Sequence, residues 1–504
     1  MPRFLSAEQK TNGQHWEALV ERVMAHQETA VLLASVWPAT VQTGYEQNTV
    51  ATNRWSLLGW GCRQQLTLFQ NQFMMQRQGQ LPVVWPWPFG EESVEALWHH
   101  AEALRITCQQ YWLNELELPF YGGLVGLLHY EAAPWCDQNA AFLQPPHQSS
   151  IDSAPIITLR ECEHWALFHH PTQQFWVSNW AILDTMDSSN PVDSRGCFKG
   201  WETTSLTEAA FTEKTNRLLE AIQQGDCYQA NLSIQWQGQW EGTLWPLYKT
   251  LQITNPSPFS GYWQDAYQTL VCNSPERLVQ VDNRASKTSE TGYAQWITTR
   301  PIAGTRGRGM TQEDDQKIGQ ALLANEKEQA EHLMLVDLLR NDVGKVSQPG
   351  TVTVRELMVL ERYAHVTHLV SDVEGLKQPS QTPWDVLCAL FPGGTITGCP
   401  KVRSMQWLHT CEPVQRGPYT GSLGYVDAKT GAMDWNIIIR SLYAMPLNDG
   451  AEASLETHPK KVFYHAGAGI VADSIPAYEY RECLRKAQNM MQVLEQWNSG
   501  HHSL

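Results

Sequence analysis

Strand-length apolar runs recur along most of this 504-residue chain, few helical stretches separate them, and no internal period relates one to the next. Without a period the chain is neither a solenoid nor a propeller. The first half is mostly strand, with apolar and aromatic runs at 30–36 and 175–182 and one helical stretch at 91–106. In the second half the spacing predicts a helix over 205–223, a strand over 230–236, several short strands up to residue 302, and one long helix over 312–339. Polar, turn-rich stretches at 144–155 and 186–200 interrupt this pattern. The second divides an N-terminal region, 1–195, from a C-terminal region, 205–495.

Composition narrows the class of function. Hydrophobic residues make up 42% and charged residues 17%, which excludes a disordered chain. A net charge of −16 has the wrong sign for following a phosphate backbone, so no nucleic-acid partner is expected. Eleven cysteines contain no CxxC pair, which argues against a zinc site or a disulfide framework and for a reducing, cytoplasmic setting. No run approaches the roughly 18 apolar residues of a membrane helix, and no membrane partner is expected.

The segment NEKEQAEHLMLVDLLRNDVG (325–344) places Glu328 and Glu331 three residues apart, on one helix face. Near the other end, Ser474 is positioned to N-cap and Pro476 to open a final helix. Tyr480, Cys483, Leu484, Ala487, Met491 and Leu494 give that helix an apolar side, and Glu479 and Glu482 edge it. Either acidic pair alone suits a solvated helix face. Together, four carboxylates without His or Cys partners would need a hard cation, and Mg²⁺ is the ion they imply. Because Mg²⁺ shares its ligands with substrate, an anionic, carboxylate-bearing substrate follows.

Three glycine-containing segments, PIAGTRGRG (301–309), PGGTITGCPK (392–401) and AGAG (466–469), read as turns whose backbone amides hold anions. Basic Arg306, Lys401, Arg403, Arg440 and Lys486 lie in or near them and favour a dicarboxylate. The middle segment fails as an ATP-binding P-loop, with Pro400 and Val402 at two required positions, and AGAG lacks the third glycine of a dinucleotide fingerprint. His368, Glu276 and Gln229 stay open on spacing alone: a core histidine, a turn carboxylate and a strand amide read equally well.

The ordered segments GDCYQANLS (225–233), SPERL, RPIAGTRGRG, EKEQAEHLMLVDLLRNDVGKV, FPGGTITGCPKVRSM, AGAGIVADS and EYRECLRKA resemble chorismate-utilising enzymes across about 205–494. The likeness is to component I of aminodeoxychorismate synthase and of anthranilate synthase. Weaker similarity covers NRWSLLG (53–59) and FYGGLVGLLHYE (120–131). The resemblance implies an α+β unit of two large antiparallel sheets packed orthogonally, helices outside and the active site in the C-terminal portion. It implies that Glu331 and Glu482 hold Mg²⁺ directly and Glu328 and Glu479 largely through water. The chorismate carboxylates would meet the amides at Gly467 and Gly469, Tyr419, Arg440 and Lys486, with Thr305, Thr397 and Gly398 as further substrate contacts.

By the same resemblance Glu276 is the general acid for the departing C4 hydroxyl, its pKa raised by burial and like-charged neighbours. His368 is the histidine tied to pyruvate elimination in anthranilate synthase. Gln229 stands where isochorismate and salicylate synthases carry a water-activating lysine, so ammonia is the expected nucleophile, supplied by a separate glutamine amidotransferase subunit. Two positions pull apart the choice of branch. Ala303 replaces the lysine of many aminodeoxychorismate synthases, as in anthranilate synthases, whereas LLAS (32–35) lacks the acidic residue of the tryptophan-regulated LLES motif. GDCYQANLS and FPGGTITGCPK look closer to aminodeoxychorismate synthase, so the expected product is 4-amino-4-deoxychorismate for 4-aminobenzoate and folate. Anthranilate synthase is the alternative, and Ala303 raises a further one, a non-catalytic chorismate- or tryptophan-binding protein.

Overall fold

The computed structural model describes residues 13–27, 29–34, 55–108, 118–143, 154–178, 196–286, 292–362, 366–447 and 459–498. The ends of two expected strands, 35–36 and 179–182, and the turn-rich stretches 144–153 and 186–195 lie outside the described residues.

Two large antiparallel sheets carry the molecule, giving the expected α+β class. The first, of eleven described strands, runs in the order Gly196–Thr204, Gln229–Gly242, Lys460–Ile470, Leu442–Pro446, Thr269–Ser274, Phe259–Gln264, Ala30–Ala34, Trp55–Trp60, His164–His169 and Gln174–Val177, with Gly398–Cys399 beside Gln229–Gly242. The second has twelve, from Ile302–Gly307 at one edge through Val366–Leu376, Arg277–Ala285, Ser422–Asp427 and Gly123–Leu128 to Val83–Pro86 at the other. Both sheets cross the sequence boundary near residue 200. Ala30 pairs with Gln264 in one and Leu128 with Ser422 in the other.

Between the sheets, Val31, Leu57 and Trp263 of the first interlock with Val125, Leu127 and Leu423 of the second. Helices cover the outer faces. Pro476–Asn498 buries Met490, Val493, Leu494 and Trp497 on the first sheet, and Glu326–Gly344 buries Val336, Leu339 and Val343 on the second. Each such side chain contributes roughly 1.5–3 kcal/mol of burial, which fixes the two helices firmly to different sheets. Leu484, expected on the inner stripe of the last helix, is instead 41% exposed. Among the described residues no helix is long and apolar enough to cross a membrane.

Several expected local structures differ. The helix expected over 312–339 is two helices, Gln312–Leu323 and Glu326–Gly344. Asn325 breaks it, because its side-chain oxygen accepts from the Glu328 amide at 3.0 Å and so begins a new helix. Ser474 does not cap the last helix, whose first backbone bonds run to Ile475. Its hydroxyl accepts from the Val471 amide and donates to Glu479 Oε1 at 2.7 Å. The segments 301–309 and 466–469 are not turns. The first lies mostly in strand Ile302–Gly307, with a register shift between Ala303 and Thr305, and the second lies inside strand Lys460–Ile470.

Candidate active site

Strand Gln229–Gly242 shows where the chemistry is placed. Alternate residues Ala230, Leu232 and Ile234 pack beneath helices with Phe211, Leu218 and Cys483. The other face carries Gln229, Asn231, Ser233 and Gln235, all buried. Across from them stand His465, Gly467 and Gly469, paired with Gln235, Ser233 and Asn231. The Ser233 amide donates to Glu412 Oε1 at 2.9 Å, so the Ser233–Gly467 pair exchanges no strand hydrogen bonds. The Gly467 amide and carbonyl therefore face away from that strand, and Gly469, two residues on, shares the orientation. On that side pairing with Leu442–Pro446 has already ended at Tyr464. The AGAG segment thus presents outward backbone amides from a strand edge rather than a turn.

Lys486 Nζ, from the last helix, donates to the Gly467 carbonyl at 2.9 Å and pairs with Glu482 Oε1 at 2.8 Å. Two glycines are required here for space. A Cβ at Gly467 would lie 2.8 Å from both Asn231 Oδ1 and the Tyr419 hydroxyl, and one at Gly469 would lie 2.7 Å from Gln229 Nε2. Tyr419 is held in place by stacking on His465, ring centroids 4.8 Å apart. Burial pushes its hydroxyl pKa up, which keeps it a proton-bearing donor.

Glu276 is buried, and burial pushes its pKa up to about 7. Thr395 Oγ1 donates to Glu276 Oε1 at 2.8 Å, and the Ile302 amide also bonds to the carboxyl. The charged neighbours that act on it are Arg440 and Lys486, both positive, so the expected like-charged neighbours are not what raises it. Desolvation alone outweighs these cations. Arg440 has φ +53°, an unfavourable left-handed conformation for a non-glycine residue of the kind that collects at functional sites. Burial lowers its pKa, with Tyr464 and Glu276 opposing. His368 is buried and pulled down to about 3 by burial and by Arg440, so the imidazole is neutral. Thr305 Oγ1 lies 2.8 Å from its Nδ1.

Thr397 and Gly398 are held tightly within the fold. The Thr397 hydroxyl is fully buried and donates to the Gly393 carbonyl at 2.9 Å. Gly398, with φ +137°, packs so that a Cβ would lie 2.1 Å from the Gln229 carbonyl, so only glycine lets this segment brace Gln229. Lys401 and Arg403 are engaged elsewhere, with Asp342 at 2.7 Å and Asp226 at 2.7 Å. Thr395, which touches Glu276, escaped the sequence reading; its only sequence signal is its place two residues before Thr397 in the same motif.

Of the four glutamates of the two helices, Glu331 feels the other three. Burial raises the Glu331 pKa, and among charged groups Glu328, Glu479 and Glu482 push it further while Lys327 opposes. Glu479 is likewise raised by burial and by Glu482. For Glu482 burial acts upward, but Lys486 and Arg485 outweigh it and hold the carboxyl below its ordinary value. Cations sit on three of the four: Arg306 Nη2 on Glu328 at 2.9 Å, Lys327 Nζ near Glu331 at 3.8 Å, and Lys486 on Glu482. Strand Ile302–Gly307 closes in from the side, Gly304 approaching Glu328 so that a Cβ would lie 2.8 Å from Oε2. Among the described residues no three potential ligands already sit at metal-binding spacing. The donor chemistry nevertheless fits a hard divalent ion, since Glu331 and Glu479, raised by burial and by neighbouring glutamates, gain most from a concentrated positive charge.

A separate cavity of about 280 Å³ lies between the sheets, lined by residues that include Ala34, Trp55, Phe120, Asp282 and Asn436. Ala34 of the LLAS segment therefore faces a real space, while Ser35 is outside the described residues.

The chain is 39% identical over 388 residues to an anthranilate synthase component I-like protein of Synechocystis sp., covering 75% of this chain and 74% of that one. It is 35% identical over 437 residues to aminodeoxychorismate synthase component 1 of Bacillus subtilis, covering 81% and 86%. The crystal structure of anthranilate synthase component I from Streptococcus pneumoniae superposes with a TM-score of 0.69 at 26% identity, covering 90% of this chain and 95% of that one. A family model described as chorismate binding enzyme matches residues 40–492. The chain belongs to the chorismate binding enzyme family.

Proposed function

We propose that the protein is the chorismate-aminating component of an aminodeoxychorismate synthase, converting chorismate and ammonia to 4-amino-4-deoxychorismate on the route to 4-aminobenzoate and folate. The observation that carries this reading is Glu276, a carboxyl poised at about 7 under the influence of Arg440 and Lys486, together with an amide, Gln229, rather than an ammonium group at the start of strand Gln229–Gly242. Hydroxide is a poor leaving group. A carboxyl still protonated near neutrality can hand its proton to the departing C4 oxygen, and the two cations hold the substrate's carboxylates while it does so. Tyr419 and the Gly467 and Gly469 amides add neutral donors. Neutral His368, steadied by Thr305, accepts or donates a hydrogen bond without adding charge. Mg²⁺ held by Glu328, Glu331, Glu479 and Glu482 would supply positive charge to a substrate carboxylate. Ammonia comes, on this reading, from a glutamine amidotransferase subunit, in a reducing cytoplasm consistent with eleven free cysteines.

Ala303 favours a second reading, anthranilate synthase, because it cannot form the covalent adduct that a lysine there would. It lies at the bulged edge strand, opposite Leu369. Incubating the purified chain with chorismate, Mg²⁺ and an ammonium salt, then adding the downstream lyase, should give 4-aminobenzoate. Direct release of anthranilate and pyruvate would replace the first reading by the second, and unchanged chorismate would sink both.

A further inference from the structure

We propose that Asn231, together with Gln229, holds the ammonia molecule that attacks the substrate ring. The inference rests on the reading above that ammonia is the nucleophile, and it adds a co-substrate site and a residue. Gln229 and Asn231 are 7% and 9% exposed, two residues apart on the same face of one strand. Among the described residues neither Gln229 Oε1 nor Asn231 Oδ1 has a hydrogen-bond partner. Leaving a buried acceptor unsatisfied costs about 1–3 kcal/mol. The neighbouring positions on that face are satisfied, Ser233 Oγ by Glu412 Oε1 at 2.8 Å and Gln235 Nε2 by His465 Nε2 at 2.9 Å. The open acceptors are therefore confined to the end of the strand that faces the site.

On the opposite strand Gly467 and Gly469 have no side chain to offer the two carbonyl oxygens, which keep no partner among the described residues. What fits is small and rich in donors. Ammonia has three N–H groups and one lone pair, so two carbonyl oxygens can each take an N–H and leave the lone pair directed at a ring carbon. Their neutrality matters, because a carboxylate at either position would favour ammonium, which has no lone pair to give. Lys486, whose Nζ reaches the Gly467 carbonyl on the neighbouring strand, further disfavours ammonium there.

The step balances with groups already described. The ammonia lone pair forms the new C–N bond as the bond from the ring to the C4 oxygen breaks. The Glu276 proton goes to that oxygen, which leaves as water. The excess proton on the new C–NH₃⁺ group returns to the Glu276 carboxylate, so ammonia and chorismate give the aminated ring and water.

Steady-state kinetics of the full chain with ammonium salts separate this from a structural role. Asn231→Leu, of similar volume without the acceptor, should raise the KM for ammonia about 10-fold and leave the KM for chorismate within twofold. Asn231→Asp should also raise it and move the profile to higher pH, since ammonium held by a carboxylate must lose its proton first. Should the Leu variant fail to fold, the nearly isosteric Asp variant carries the same test. An ammonia KM unchanged in the variant that folds, or a chorismate KM that rises in step, would overturn the assignment of Asn231 alone. A parent chain that turns over no chorismate with ammonium salts would overturn the proposed function and this inference with it.

Discussion

Glu276 shows how a single side chain is tuned by its surroundings. Its carboxyl is enclosed, and desolvation lifts the pKa to about 7 against the pull of Arg440 and Lys486. A general acid must be protonated, so turnover should fall as pH rises through about 7. Glu276→Gln should lower kcat by roughly 10²–10⁴-fold and abolish that limb of the pH profile, while chorismate affinity measured by calorimetry is kept. Glu276 was legible in the sequence because SPERL matches a family motif. It held no sign that Thr395 would be the hydroxyl on it, or that its charged neighbours would be cations, since residues 276, 395, 440 and 486 meet only through the fold.

At the scale of elements, the proposed metal site depends on two helices anchored to different sheets with their acidic edges facing each other. Asn325 fixes where one begins, and with it the rotation of Glu328 and Glu331 about the helix axis. Asn325→Ala should cost about 1 kcal/mol in denaturant unfolding and weaken Mg²⁺ binding measured by calorimetry. Gly467→Ala should do the opposite kind of damage, leaving stability little changed relative to its effect on chorismate affinity, because its methyl group would press on the Tyr419 hydroxyl and Asn231. The acidic pairs and the final helix were legible because helical spacing is written into the sequence. The AGAG and PIAGT segments read locally as turns because glycine signals a turn, whereas here it serves close approach between a strand edge and its neighbours. The 312–339 helix was misread because its periodicity continues across a residue that caps.

The whole molecule is a pair of sheets sewn across the sequence boundary, and buried carboxyls help to sew it. Glu131, beside strand Gly123–Leu128, accepts from the Arg416 and Gly417 amides at 2.9 and 3.3 Å, tying the first half of the chain to the second. Burial pushes its pKa up to about 7 from an ordinary 4.5. Below about 4.5 both folded and unfolded chains are protonated there. Between that point and about 7 the unfolded chain ionises while the folded one keeps its proton, so this group's contribution to stability falls with rising pH and then levels off. Glu131→Gln should remove its share of that slope in thermal midpoints taken across the range. The two-sheet class was legible only through the family resemblance, since strand-length runs by themselves show a mixture of strands and helices; the crossing of the boundary left no local sign, because strand partners hundreds of residues apart leave none.

All of this turns on whether one divalent ion draws those opposed acidic edges together. Crystals of the full chain grown with Mn²⁺ in place of Mg²⁺, read by anomalous scattering, address it directly. The account predicts one peak between the helices with Glu331 and Glu482 oxygens about 2.1 Å away and Lys486 displaced from Glu482. Carboxylates still paired with Lys327 and Lys486, and no peak between them, would contradict it.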